Sequence, residues 1–189
     1  MHRQDPQPFD NALRFAVGIT ALVAPAVHSI TDAMEWYQQG FSTSQLWLNY
    51  IAFVPMSWLL FGIYVVHDPK PNAAGLIGAL LYGAAFTYFA HTTLYALDHG
   101  VSTYEALWQR LGSVYTVHGA LMICGGVLFA WAVLRAGWLP RFAVLLFLAG
   151  IGMNLLLSLL PAPDILQTIG SAARNLGLVA MGYAIVATR

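Results

Sequence analysis

Charge is what this chain has least of. Charged residues make up 8% of it, against about 25% in a soluble domain, too few to keep a compact surface solvated in water. Eight basic residues balance eight acidic ones, and no basic run or patch stands out. The electrostatic footprint of a nucleic-acid-binding protein is therefore missing. Cysteine is nearly absent too. Cys124 stands alone, which excludes an intrachain disulfide and a cysteine-based metal site. No C-x-x-C-H run occurs, so covalent c-type haem is excluded. The alternating ten-residue segments of a membrane barrel are missing. No matching motif relates the two halves of the chain, so the inverted repeat of many transporters finds no support.

What the chain has is apolar sequence. Of its 189 residues, 59% are hydrophobic, and the mean hydropathy is +0.66. Apolar runs recur at 13–35, 46–66, 73–97, 111–135, 139–160 and 166–187, separated by short Pro-, Gly- or Asp-bearing loops. Each is close to the roughly 20 residues that a helix needs to cross the hydrocarbon core. Backbone amides in lipid must be bonded within their own segment, so these runs predict helices. The reading is an all-α polytopic membrane bundle of six spans, with residues 1–189 forming one transmembrane domain. Pro25, Pro55 and the pair Gly125-Gly126 fall inside spans, where such residues are tolerated and the prolines kink the helix. A cleaved leader ending near Ala24-Pro25-Ala26 fits less well, because patterned charged residues follow the first apolar run directly.

Arg3, Arg14, Lys70, Arg135, Arg141 and Arg189 all fall on one side of a six-span arrangement, and only Arg110 sits in a loop on the other. That asymmetry predicts both termini in the cytoplasm and an integral protein of a bacterial inner membrane. Asp32, Glu35, Asp98, Glu105 and Asp164 belong to the opposite, outer side. Trp36, Trp47, Trp108 and Trp138 lie near span ends and read as the aromatic belt. His2, His67 and His99 fall in the tail or in loops and are expected to be solvated.

The polar residues inside the spans are patterned. His28, Asp32 and Glu35 are spaced i, i+4, i+7 in the first span, which puts them on one helical face. Tyr88, His91, Tyr95 and Asp98 form a second stripe in the third span, and Tyr115, His118 and Met122 a third in the fourth. The fifth span offers Asn154 and Ser158. The sixth offers Gln167, Ser171 and Arg174, with Asn175 adjacent. All lie in the outer halves of their spans; His118, for example, is about two turns deep at 1.5 Å per residue. Ionisable residues in a span are costly and normally face a bundle interior, paired with one another. The expectation is one shared polar cavity near the outer face. Met122 and Cys124 read as packing residues rather than ligands.

Such a cluster admits three chemistries. Asp32 or Glu35 as proton donor, with His28, His91 and His118 as partners, suits acid–base isomerisation or cyclisation of a lipophilic alkene or epoxide. Tyr88, Tyr95 and Tyr115 would stabilise a developing cation, and Asn154, Arg174 and Asn175 would orient the substrate. Alternatively, His28, His91 and His118 hold a single metal ion or haem b, with Arg174 on a propionate, giving a membrane redox protein. The third reading is a small transporter or proton relay.

Two local resemblances favour the first chemistry. His118-Gly119-Ala120-Leu121-Met122-Ile123, with Leu128-Phe129 after it and Gly152-Met153-Asn154 beyond, resembles a stretch of styrene-oxide-isomerase-type bacterial membrane proteins. That resemblance implies a helical homo-oligomer in which haem b acts as a Lewis acid on an epoxide. It covers only the C-terminal part of the chain, and that family has fewer spans than are read here. The same His-Gly-x-Leu-Met segment also looks like part of haem–copper oxidase relatives. His28-x-x-x-Asp32 with Glu35-Trp36 is similar to the His-x-x-x-Glu-Gly-Trp helix of emopamil-binding-type sterol isomerases, with Asp in place of Glu and no Gly-Trp directly after it. Both imply isomerases acting on lipophilic molecules.

Overall fold

With no water to bond to in hydrocarbon, each apolar run closes its own backbone hydrogen bonds, and every one of them is helical. The structure is a computed structural model that describes residues 8–160 and 163–187. His2, Arg3 and Arg189 lie outside them. The helices are α1 (Pro8–Gln38), α2 (Thr43–Val66), α3 (Ala73–His99), α4 (Tyr104–Leu111), α5 (Ser113–Ala136), α6 (Arg141–Leu159) and α7 (Asp164–Ala187). All but α4 are long and apolar enough to cross a membrane, giving the expected six spans. The fourth span of the sequence is thus α5. The short α4 falls in a stretch read as loop, and Thr103 starts it by accepting from the Ala106 amide at 3.2 Å. Two chain reversals use left-handed glycines, Gly100 after α3 (φ 60°) and Gly137 after α5 (φ 77°).

The spans form a closed ring in the order α1, α2, α3, α5, α6, α7, with α7 returning against α1. Each packs antiparallel to its sequence neighbours, so the start of α1 and the end of α7 lie on one side. Lipid tails are as apolar as leucine, so the helices associate through close packing at small residues. Gly78 of α3 and Gly125 of α5 face one another, each with the other's carbonyl oxygen where a side chain would begin. Gly150 and Gly177 pack α6 and α7 together, Gly18 and Gly182 do so for α1 and α7, and Gly83 sits on the Ser57 carbonyl of α2.

The terminus-side half of the bundle is filled with apolar side chains. Leu59, Leu60, Ile63, Phe129, Val133, Val144, Phe147, Met181 and Ile185 are all buried there. On the opposite side a smaller cluster of Leu46, Ala96, Val101 and Leu107 seats α4 over α2 and α3. Phe41 ties that cap down through its amide, which donates to the Ser102 carbonyl at 2.7 Å, and through its ring, edge-on to Tyr104 at 4.9 Å.

One loop residue departs from expectation. His67, directly after α2, is 1% exposed rather than solvated. Its Nδ1 lies 2.7 Å from the Pro69 carbonyl, and its ring stands edge-on to Trp138 at 4.9 Å. Arg14 of α1 covers the same indole at 5.3 Å. Trp138 is therefore a packing element.

Candidate functional site

The i, i+4 spacing in α1 brings His28 and Asp32 to the bundle interior, 5% and 8% exposed. From α7, Arg174 meets them at 3% exposure. An arginine side chain only donates, so its Nη2 donates to Nε2 of His28, at 2.9 Å. If the imidazole is neutral, its proton then sits on Nδ1. That nitrogen lies 3.3 Å from Oδ1 of Asp32, an ion-pair distance without hydrogen-bond geometry. Arg174, His28 and Asp32 thus form a row in which a guanidinium and a carboxyl group flank an imidazole. Asp32 is the one buried carboxyl group among the described residues, and Arg174 the one buried guanidinium.

The remaining neighbours hold this row in place. Arg174 also reaches the Asn175 side-chain oxygen (3.4 Å) and the Met122 sulfur (3.2 Å), and its guanidinium lies 5.6 Å from the Phe86 ring centre. Asn175 donates to Ser29 at 3.1 Å, which fixes α7 against α1. His28 stands edge-on to Phe53 at 4.8 Å and to Phe86 at 6.3 Å. On the α6 side, Asn154 donates to the Ser171 hydroxyl at 3.1 Å, and Ser171 in turn is within hydrogen-bonding reach of Asp32. Gly170 makes room for Asn154, whose side-chain oxygen occupies the place a Cβ would take.

The α2 contribution is not anticipated by the stripes of the other spans. Gln45 and Asn49, spaced i, i+4, are both buried. The Thr31 hydroxyl lies 3.1 Å from Asn49 Oδ1, and Gln45 Nε2 lies 3.5 Å from the Thr31 carbonyl. An amide pair at helical spacing in an otherwise apolar span is the signal that marks them.

Several polar atoms in this layer have no hydrogen-bond partner. They are Oδ2 of Asp32, Nδ1 of His28, Oε1 of Gln45, Oδ1 of Asn154 and the Tyr82 hydroxyl. Buried polar atoms are nearly always satisfied, so several unsatisfied atoms in one layer mark a place equipped to bind a polar group.

The expected stripe of α3 points elsewhere. The buried face of α3 runs from Gly75, Gly78, Ala79, Tyr82, Gly83 and Phe86 to Ala90, Thr93 and Ala96. Tyr88, His91, Tyr95 and Asp98 lie on the other side of the helix, with His91 and Asp98 exposed. Tyr88 stacks on His118 of α5 at 3.4 Å between ring centres, and His91 flanks Tyr88 at 6.2 Å. His118 Nδ1 lies 2.6 Å from the Val114 carbonyl, and Tyr95 stacks on His99. His91 and His118 thus form a group of their own at the α3–α5 surface, while Nε2 of His28 is taken by Arg174. Among the described residues no three His, Cys, Asp or Glu side chains gather as a metal ion would need. A centre built from His28, His91 and His118 is therefore not assembled within one chain.

Glu35 is half-buried at the outer end of α1 and lies near Tyr104 and Tyr115. Tyr115 packs against the Leu46, Ala96 and Leu107 cluster, with its ring 5.9 Å from that of Phe89. The aromatic walls beside the row are phenylalanines. The buried polar centre is His28, Asp32 and Arg174, with Asn154, Ser171, Asn175, Gln45 and Asn49 around it and Phe53, Phe86 and Met122 packed against it. Compared with protein-family models, curated proteins and solved structures, the chain matches none of them.

Proposed function

We propose that this integral membrane protein is an enzyme that isomerises or cyclises a lipophilic small molecule by acid–base chemistry at Asp32. The observation that carries the reading is the free oxygen of Asp32. Its Oδ2 is buried and unpartnered, while Oδ1 faces His28. A carboxyl group in such a place can hand a proton to a substrate and take one back.

The chemistry closes without a net redox change. Protonated Asp32 delivers its proton from Oδ2 to an alkene carbon or an epoxide oxygen. The cation that forms faces the rings of Phe53 and Phe86, which stabilise it through their π-electrons. Loss of a proton from the neighbouring carbon returns Asp32 to its starting state. Arg174 holds His28 in the Nδ1–H form, so that the imidazole steadies the carboxylate between the two steps. Arg174 and Asn154 orient an oxygen on the substrate. Terpenoids, sterol-like molecules and epoxides all fit this requirement. The styrene-oxide-isomerase-type and emopamil-binding-type resemblances support the same reaction class.

The apolar filling of the terminus-side half argues against a path across the membrane, and so against transport. The engagement of His28 by Arg174 argues against that imidazole as a ligand of haem or metal. By the positive-inside rule, Arg14, Lys70, Arg135 and Arg141 put the termini in the cytoplasm. The centre then faces the outer leaflet of a bacterial plasma membrane, in a chain that can act as a homo-oligomer.

The test is conversion of a hydrophobic epoxide or terpenoid by the purified protein in detergent, alongside an absorption spectrum and elemental analysis. Turnover by a colourless, metal-free protein, abolished in Asp32→Asn, is the expected result. A Soret band or stoichiometric metal in the active protein would favour the haem or metal reading instead. Accumulation in proteoliposomes without chemical change would favour transport.

A further inference from the structure

The ring has one weak seam, between α5 and α6, and it opens outward of Arg174, whose backbone packs against Gly150. In the terminus-side half the two helices touch. A side chain at Gly126 of α5 would collide with Ile151 of α6 and crowd Phe147. Two turns outward the contact is gone. Gly119, seven residues before Gly126 and so on the same side of α5, has nothing within 4 Å of the place its Cβ would take. On α6 the positions above Ile151 behave likewise. Leu155 is 38% exposed and Ser158, seven residues beyond Ile151, is exposed too. The Ser158 hydroxyl turns back to the Leu155 carbonyl of its own helix. Over about 10 Å of helix, at 1.5 Å per residue, the pair goes from collision distance to open space.

About one turn inward of the opening lie Met122, which touches Arg174, and Asn154, whose unpartnered side-chain oxygen is buried. The opposite flank is shut. There α4 and the Phe41–Ser102 link cover the outer ends of α2 and α3.

We infer that the divergence of α5 and α6 is a lateral portal through which a membrane-dissolved substrate passes from the outer leaflet to Arg174 and Asp32. The inference rests on the acid–base reading and names the substrate class for it. The molecule has an apolar body, matched to the leucines of α6 and to Phe53 and Phe86, and one oxygen function for Arg174. A strongly charged or water-soluble substrate has no such route, because the lips of the portal are apolar.

The test uses a long-chain alcohol bearing a diazirine, in phosphatidylcholine vesicles holding the full-length protein. Photolysis followed by peptide mapping is expected to label Met122 on α5 and Asn154 on α6. Gly119→Phe places a ring in the mouth, where nothing obstructs it, and is expected to cut that inner labelling at least fivefold. Leu155→Trp on the other lip is expected to do the same and serves if the first variant folds poorly. Labelling of the outward residues Ala120 and Cys124 is expected to stay unchanged in both. Inner labelling unaffected by either plug, or no inner labelling at all, would overturn the portal. Asp32→Asn separates the two claims. Normal labelling with lost turnover supports both, and normal labelling with normal turnover sinks the acid–base reading while leaving the portal.

Discussion

Arg174 donates to Nε2 of His28 at 2.9 Å across 146 residues of sequence. That contact joins α7 to α1, as the Asn175–Ser29 bond also does, and, because arginine cannot accept, it sets the imidazole proton on the nitrogen that faces Asp32. It couples the packing of the ring to the chemistry of the centre, and the first expectation follows from it.

Arg174→Met should destabilise the protein by about 1–3 kcal/mol, the usual cost of leaving buried hydrogen-bonding groups without their partner. Asp32→Leu should cost a similar amount. The double variant should be less destabilised than the sum, because His28 links the two groups and neither is then left facing a vacant partner. Thermal unfolding in detergent, read as a double-mutant cycle, measures the coupling. Strict additivity would show that the two groups do not serve one another.

Asp32→Asn keeps the shape and removes the exchangeable proton. Turnover should fall by about a hundredfold to ten-thousandfold, the range for loss of a positioned acid–base group. The melting temperature should fall far less than in Arg174→Met. His28→Gln should lose activity too, because an amide cannot steady the carboxylate through both steps. Steady-state rates beside melting curves of the same preparations separate loss of chemistry from loss of fold.

His67 offers a pH dependence outside the spans. Burial is the main cause that pushes its pKa below the ordinary histidine value; the Pro69 carbonyl and Asp68 work in the other direction. A folded state that binds its proton less tightly than the unfolded chain loses stability as pH falls. The loss begins near the unfolded value of about 6.5 and stops growing below the lowered folded value. Melting temperature should therefore drop between pH 7.5 and 5.5. His67→Asn should flatten that part of the profile, since the amide can still donate to Pro69 but does not titrate. An unchanged slope would place the titration elsewhere.

The glycines separate into two kinds. Gly78→Leu forces a side chain into the Phe129 backbone and the Gly125 carbonyl, and overpacking of this kind typically costs about 1–3 kcal/mol. Gly119→Ala adds a methyl to open space and should leave stability unchanged or slightly raised, since alanine is the better helix former. Paired melting curves check both signs.

Much of this was legible in the residues. Long uncharged runs dictate helices in lipid, and the loops between them are too short to allow anything but antiparallel neighbours. The spacings of His28 with Asp32 and of Ser171 with Arg174 marked faces that do meet. The stripe of α3 was misdirected for a definite reason. Periodicity tells which side chains share a face, not which way the face looks, and in a membrane small residues claim the buried side. Gly75, Gly78, Ala79 and Gly83 carry that signal, and it outranks the tyrosines and His91. Gln45 and Asn49 were readable as an amide pair at helical spacing. The burial of His67 was not, because it depends on Trp138 arriving from the α5–α6 turn. The opening beside Gly119 also needed three dimensions, since a glycine at a tight contact and one at a gap look alike in sequence.

The most direct measurement is the rate at which purified wild-type protein and Asp32→Asn convert a panel of hydrophobic epoxides and terpenoids, with melting curves as the control for folding. An isomerised or cyclised product is expected from the wild type, with no change in oxidation level, and at least a hundredfold less from a variant that still folds. Equal conversion by the two would contradict acid–base chemistry at Asp32.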